Sequence, residues 1–474
     1  MDSDCYMRLQ RVLNLYQSGQ WFDSFEPRSN APIGEQLHWT RPLDLILLIG
    51  AWIGSAVTDF RSALWAWGVV VSPALLMVGL VVWQWGTRRL VSPGVFLISA
   101  LMLLLMPMFS AAFMIGRPDH HGLIALCLLG SLACLLRLLS GDERLRLAFY
   151  AGLWGGLGLW VSLESLVGQG LIGASLALVW WMRGGREARL LALFCQGLLV
   201  MLVVALVVEY KPADWFNVRY ARFTIVDVVL AAGCAVPWTI IAAIAERHRL
   251  VLKARIGLTL AAGLVTVLVM AQTYPRFFLG PMIDFSPQSI LWLSTSSEFE
   301  PLWPTSVWGF SEFLFYLGPT LIAIAVCIQA LRHGPAERKP VMAVLLLCSL
   351  VLLPFGLSAI RWAVACNLMA ALPWAMTVPT AWRWRGSLRL AGNRLPLRSV
   401  AVAALLSTHA DIAQMLNASG SVGPHPTSTT AGGTKGASAS DCDWQPISQY
   451  LSAQWPQGGV LFSYLFAGGE LIWR

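Results

Sequence analysis

Apolar runs close to the length of a bilayer crossing recur along this 474-residue chain, and no other feature narrows its fold so far. They lie near 43–57, 63–86, 91–115, 122–140, 146–163, 165–182, 189–208, 223–245, 256–273, 305–331, 341–359 and 361–381, with a weaker one near 399–415. Roughly 20 apolar residues in a helix cross the hydrocarbon core, where a chain must satisfy its own backbone hydrogen bonds. With 57% hydrophobic and only 12% charged residues, the chain cannot be an ordinary soluble domain. The 23 tryptophans agree, because Trp gathers at membrane interfaces. The expected fold class is an all-α polytopic membrane protein.

A net charge of +8 would suggest nucleic acid in a soluble protein. Here the basic residues collect in short loops: Arg88-Arg89; Arg144 and Arg146; Arg183, Arg186 and Arg189; Arg247 to Arg255; Arg332, Arg338 and Lys339; and Arg383 to Arg398. These loops alternate with poorly basic ones, so they are assigned to the cytoplasm and nucleic acid is not expected as a partner. The opposite face then carries Asp119–His121, Glu164, the 209–222 and 274–304 loops, Arg361 and the C-terminal tail.

Parity adds one constraint. For the N-terminal acids to share a side with Asp119, an even number of crossings must separate them, yet three apolar runs intervene. The shortest, 43–57, carries Asp44 and Asp59 at its edges and reads as a helix lying on the outer surface. About twelve spans remain. The domain plan is a first external loop with a surface helix (1–62), a transmembrane catalytic core (63–415), a Gly/Ser/Thr linker (416–440) and the start of a truncated soluble domain (441–474). Seven of the nine cysteines lie in apolar runs, where Cys acts as a small hydrophobe; a bridge between Cys5 and Cys442 is left open.

The chemistry concentrates in Gly116-Arg117-Pro118-Asp119-His120-His121-Gly122, between two apolar runs. Ionisable groups at a membrane edge are costly, and so are functional candidates. Asp119 and His121 offer an oxygen and a nitrogen ligand that suit Mn²⁺, Mg²⁺ or Zn²⁺. The bland reading is that Asp119, after Pro118, caps the next helix. Asp2 and Asp4 are acids near an N-terminus, a usual place for solvated charge. Thr295-Ser296-Ser297-Glu298-Phe299-Glu300-Pro301 sits in the one long outward loop, a frequent home of function. Arg361 opens a span directly after another ends; it either snorkels or holds a phosphate. Glu164 has no obvious partner and reads as a surface acid that could touch substrate.

Several of these stretches resemble one family. Asp4-Cys5-Tyr6-Met7-Arg8-Leu9, then Phe25-Glu26-Pro27, Gly34 and His38-Trp39-Thr40-Arg41-Pro42-Leu43-Asp44, resemble the first external loop of archaeal and bacterial single-chain oligosaccharyltransferase catalytic subunits. Gly116–His121 is similar to that family's second acidic motif, Thr295–Glu298 with Pro301 to its TIxE loop, and Arg361-Trp362 to its RF-like arginine. Two features depart from the pattern. The family's first span has no counterpart, and near Phe462–Gly468 only the Gly and aromatic character of WWDYG remain.

The resemblance implies a GT-C glycosyltransferase with a polyprenyl-(pyro)phosphate-linked sugar donor. It implies a divalent cation, Mn²⁺ or Mg²⁺, held by Asp4, Asp119 and His121 with Glu298. Asp4 and Glu298 would be catalytic, with Glu298 positioning the acceptor. Arg361 would meet the donor phosphate, and His120 and Glu164 would contact substrate. The acceptor would be a protein, or else a glycan or lipid, at the outer face of a bacterial inner membrane. Two other readings compete: a cation- or proton-coupled transporter using Asp119, His121 and Glu164, and an inactive relic. Transporters favour midplane sites within internal repeats, whereas these acids sit in loops at one face and no repeat is visible.

Overall fold

The computed structural model describes residues 1–378 except 2, 186, 294 and 295, together with 387–390, 393–396, 449, 450 and 453. The weak span near 399–415, the linker and all of the proposed C-terminal domain but 449, 450 and 453, Phe462–Gly468 included, therefore lie outside the described residues. Fifteen α-helices make up nearly all of what is described. They are α1 (Ser3–Ser18), α2 (Arg41–Gly54), α3 (Phe60–Thr87), α4 (Pro93–Leu105), α5 (Pro107–Ala111), α6 (His120–Leu139), α7 (Arg146–Val161) and α8 (Ser165–Arg183). Then follow α9 (Glu187–Glu209), α10 (Ile225–Arg247), α11 (Leu252–Thr273), α12 (Pro287–Leu293), α13 (Val307–His333), α14 (Lys339–Ser358) and α15 (Ala363–Ala375). Two small antiparallel pairs complete the fold: β1 (Phe25–Glu26) with β2 (Glu35–Gln36), and β3 (Ser387–Leu390) with β4 (Asn393–Pro396).

Eight of the described helices (α3, α6, α8, α9, α10, α11, α13 and α14) are long and apolar enough to cross a membrane. This makes the chain a multi-helix membrane-type protein. The apolar runs up to residue 381 each contain a helix, but the 91–115 run does not form one rod. It breaks at Met106, whose extended backbone (ψ 115°) precedes Pro107, so α4 is a shorter apolar helix of 13 residues followed by the five-residue α5. Proline lacks the N–H that would continue the ladder and forces its predecessor out of the helical region. At 14 residues, α2 is short of the ~20 that a crossing takes.

The bundle is arranged around α6. Nearly all of its residues are buried, whereas α11 is almost bare, matching a helix apolar all round set among its neighbours and one left at the periphery. Around α6 pack α3, α7, α8, α14 and α15. Between α7 and α9 the backbones touch: a methyl on Gly152 would meet the Phe194 carbonyl oxygen, and one on Gly197 the Phe149 carbonyl oxygen. Small residues at helix contacts are the usual means of close approach when lipid supplies no hydrophobic drive.

The N-terminal polar segment contains a helix that periodicity alone hides. In α1, Leu9, Val12 and Leu13 are buried, but so are Arg8, Gln10 and Arg11. Gln10 Nε2 donates to Asn14 Oδ1 (2.6 Å), and the arginines turn to Asp44 at the start of α2, fully buried and ringed by Arg8 Nη1 (3.5 Å), Arg11 Nε (2.6 Å) and Arg41 Nη1 (3.1 Å). Arg8 also lies 4.3 Å over the Trp39 ring. Arg41 ties this knot to the bundle, since its backbone N–H donates to Glu209 Oε2 (3.0 Å), which also accepts from Trp160 Nε1 (2.9 Å). Trp21 Nε1 donates to the Val208 carbonyl nearby (2.6 Å).

Two substitutions test this account by thermal unfolding in detergent. Asp44→Ala leaves three arginine heads buried without their shared carboxylate, and a loss of about 3–5 kcal/mol is expected. Gly152→Ala sets a methyl on a backbone oxygen that cannot rotate away, and about 1–3 kcal/mol is expected to go. Wild-type unfolding temperatures for either variant would refute the corresponding contact.

Candidate active site

At Gly116 the backbone turns through φ +75°, the left-handed region that glycine enters freely, and its N–H donates to the Val69 carbonyl on α3 (2.8 Å). The next residue, Arg117, is held from both ends. Its carbonyl accepts from the Ser72 hydroxyl, and its Nη1 donates to the Ala111 carbonyl (3.2 Å). This fixes the approach of the chain to Asp119, the N-cap of α6.

Asp119 serves as both cap and site residue. Oδ1 accepts from the His120 backbone N–H (2.6 Å) and meets His120 Nδ1 (2.5 Å). Oδ2 is turned the other way, 3.6 Å from His121 Nε2 and 3.7 Å from Arg117 Nη2. The capping and ligand readings of Asp119 are thus compatible, one oxygen for each. Burial disfavours the charged form, yet the imidazoles of His120 and His121 alongside hold the Asp119 carboxyl well below its ordinary range. The two imidazole rings stack with centroids 4.4 Å apart.

Glu298 arrives from the long loop, on a single 3₁₀ turn, Ser297–Phe299. Its Oε2 is 3.6 Å from His121 Nε2 and its Oε1 3.5 Å from Arg117 Nη2, the same two nitrogens that face Asp119. The His121 imidazole alongside holds the Glu298 carboxyl down at about 2 against the opposing effect of partial burial. The loop is stitched to the end of α14 and the 3₁₀ turn after it: Leu302 N–H donates to the Leu357 carbonyl and Ile360 N–H to the Glu300 carbonyl, both at 3.0 Å. That brings Arg361 over the Phe299 ring (4.6 Å). Arg361 Nη2 pairs with Glu164 Oε1, so Glu164 has a partner after all, one 197 residues away.

Asp119, His121 and Glu298 therefore converge, with His120 beside them, and Arg361 and Glu164 form a neighbouring pair through Phe299. Among the described residues, Asp119, His120 and His121 bring one ligand atom each within 4.8 Å of one another. This oxygen-and-nitrogen set fits a divalent cation. Asp4 stands exposed in the first turn of α1, outside that trio. Sequence reasoning gave Arg117 no role, although it bridges the two carboxylates. Its place inside the Gly116–Gly122 stretch was the available signal.

Acid titration checks the Glu298 contact. The carboxyl ionises at about 2 when folded against an ordinary 4.5, so its pairing stabilises the fold fully above pH ~4.5 and is lost as pH falls towards 2. The unfolding-temperature gap between wild type and Glu298→Gln should be open at neutral pH and narrow as pH falls from about 4.5 towards 2. A gap that persists into acid would mean that glutamine perturbs something other than charge.

Neither protein-family models nor curated proteins match the sequence. Solved structures do. The archaeal oligosaccharyltransferase of Archaeoglobus fulgidus in complex with an inhibitory peptide and a dolichol-phosphate superposes with a TM-score of 0.65 at 16% identity, covering 98% of this chain and 57% of that one. The same enzyme tethered to an acceptor peptide containing the NVT sequon gives 0.64 at 16%, covering 99% and 58%. Its complex with Zn and sulfate gives 0.60 at 16%, covering 98% and 55%. The chain spans less than three fifths of the length of each of these structures. Over that length, it has the fold of the archaeal oligosaccharyltransferase.

Proposed function

We propose that the chain transfers a glycan from a polyprenyl-(pyro)phosphate carrier to a protein acceptor, or else to a glycan or lipid acceptor, at the outer face of a bacterial inner membrane. The observation that carries this reading is the meeting of Asp119 and Glu298 at His121 and Arg117, beside Arg361, in a chain with the oligosaccharyltransferase fold. Neighbours complexed with a dolichol-phosphate and with an acceptor peptide favour a lipid-linked donor and a peptide acceptor. Residues 1–62 are taken as the first external loop, and 63–415 as a catalytic core of about twelve spans. A linker (416–440) and a soluble segment (441–474) follow.

Asp119 and His121, with His120, Asp4 and Glu298 as the further candidates, would hold a divalent cation. Mn²⁺ or Mg²⁺ is favoured by the carboxylates and Zn²⁺ by the imidazoles and by the Zn-bound neighbour. Such an ion supplies Lewis-acid stabilisation to a departing phosphate. Arg361 supports the same negative charge from the side of Phe299 as the sugar C1–O bond breaks. Glu298, ionised throughout the physiological range, accepts a hydrogen bond from the acceptor N–H or O–H and orients it for the new C1 bond; a carboxyl at about 2 is a weak base, so the acceptor's proton passes on to the departing phosphate or to water. Asp4 is proposed to join the catalytic carboxylates, and His120 and Glu164 to contact substrate. Clustering of the acids at helix ends, away from the midplane, favours an enzyme over a cation pathway.

A turnover assay of the purified full chain tests this. It uses a polyprenyl-linked glycan, a panel of peptide and glycan acceptors, added divalent ion or chelator, and Asp119→Ala alongside. Transfer that needs the ion and falls roughly 100-fold or more in the variant is expected. The acceptor that works decides between protein and glycan or lipid. Failure of the lipid-embedded protein to transfer or hydrolyse any donor, with no divalent binding that depends on Asp119, would refute the reading.

A further inference from the structure

At the other end of α6, 20 residues and about 30 Å from Asp119, lies a second charge cluster that the proposed reaction does not use. Its centre is Asp142, almost fully buried. Arg137 Nη2 (2.8 Å), Arg144 Nη2 (2.7 Å) and Arg89 Nη1 (3.4 Å) all converge on one of its oxygens, Oδ2. Arg144 Nε takes the other oxygen at 2.9 Å. Arg88 and Arg146 flank the group and are exposed, as is Glu143. Three arginines thus gather on one carboxylate at the ends of α3 and α6, with Arg88, Glu143 and Arg146 their neighbours along the chain.

The imbalance is sharpest at Arg137. The residue is 1% exposed, 5.2 Å from the Trp85 ring, and its Nε and Nη1 have no hydrogen-bond partner. A buried guanidinium offers five donors and rarely leaves them unused. The negative C-terminal ends of α3 and α6 balance part of the excess charge, but a helix end carries only about half an elementary charge. Arg89 and Arg144 keep their outer donors exposed, with side chains 46% and 44% accessible, at the level where a spanning helix emerges from the bilayer. A basic pocket between spanning helices at that level matches a phospholipid headgroup in charge and depth.

We infer that the Arg89–Arg137–Arg144 cluster, with Asp142 as its internal brace, binds the phosphate of an anionic phospholipid. Asp142 holds the three guanidinium groups side by side, and the phosphate oxygens accept from the donors the carboxylate leaves over. Acyl chains then run along the apolar flanks of α3 and α7. The site is independent of the glycan-transfer reading, since it shares no residue with it.

The test measures thermal unfolding of the full chain in detergent with added phosphatidylglycerol, phosphatidylcholine or inorganic phosphate. Lipid retained after extraction is measured in parallel by native mass spectrometry. Wild type should unfold at higher temperature with phosphatidylglycerol than with phosphatidylcholine, and should retain the anionic lipid. Arg89→Gln/Arg144→Gln, both at exposed positions and leaving Arg137 on Asp142, should lose most of that shift and most of the retained lipid, whatever its own unfolding temperature in phosphatidylcholine. Arg332→Gln/Arg338→Gln, in another basic loop, should keep both. An equal shift in the Arg89/Arg144 variant would overturn the site. An equal shift with inorganic phosphate alone would overturn the lipid assignment, and so would loss of the shift in the control pair. Should the first variant unfold early in every condition, Arg89→Lys/Arg144→Lys carries the test, since it keeps the charge but removes the forked donors; undiminished lipid retention there would overturn the paired-guanidinium geometry.

Discussion

A helix bundle in lipid can be apolar through its middle only if its ionisable groups are driven to the ends of the helices and neutralised there. That constraint orders this structure. The helix at its centre, α6, is buried along nearly its whole length and has an aspartate-centred cluster at each end. Asp119 caps its start and Asp142 follows its finish. Buried ions need partners, because an unpaired one in a low-dielectric interior costs several kcal/mol. Each cluster joins a near partner to a distant one: Arg117 and Glu298 at one end, Arg144 and Arg89 at the other. The chemistry at the membrane edge is thus also what terminates the hydrophobic core.

The first 60 residues obey the same rule outside the spans. Asp44 draws three arginines into a buried knot, and through Arg41 and Glu209 the knot is fastened to the end of α9. Ion pairs of this kind add little net stability over apolar packing, but they specify one arrangement. Here, what they specify is where α1 lies against α3, with Leu9 seated opposite Gly68.

The membrane character and most helix positions were legible in the sequence, because apolar runs are long signals that local chemistry cannot disguise. The break at Met106 was less so: Pro107 is visible, but proline also occurs inside α3, α10 and α13 without ending them. Helix α1 was hidden because its buried face includes Arg8 and Arg11, whose partner is Asp44, 33 residues beyond Arg11, and Gln10, which donates to Asn14. At the site, Asp119 and His121 stood out as costly residues at an apolar boundary and Glu298 by its long loop and its motif resemblance, and the structure brings the three together. The roles of Arg117 and Glu164 depend on contacts 181 and 197 residues distant, and no local pattern encodes those.

The Glu164–Arg361 pair changes what it means for Arg361 to meet an anion. The guanidinium is not a bare cation waiting beside Phe299; a carboxylate already occupies it. On the proposed reading, a phosphate that took Arg361 Nε, which has no hydrogen-bond partner, would arrive beside the Glu164 carboxylate and share the guanidinium with it. Like charges side by side repel, so Glu164 would set how much further negative charge the guanidinium can accept.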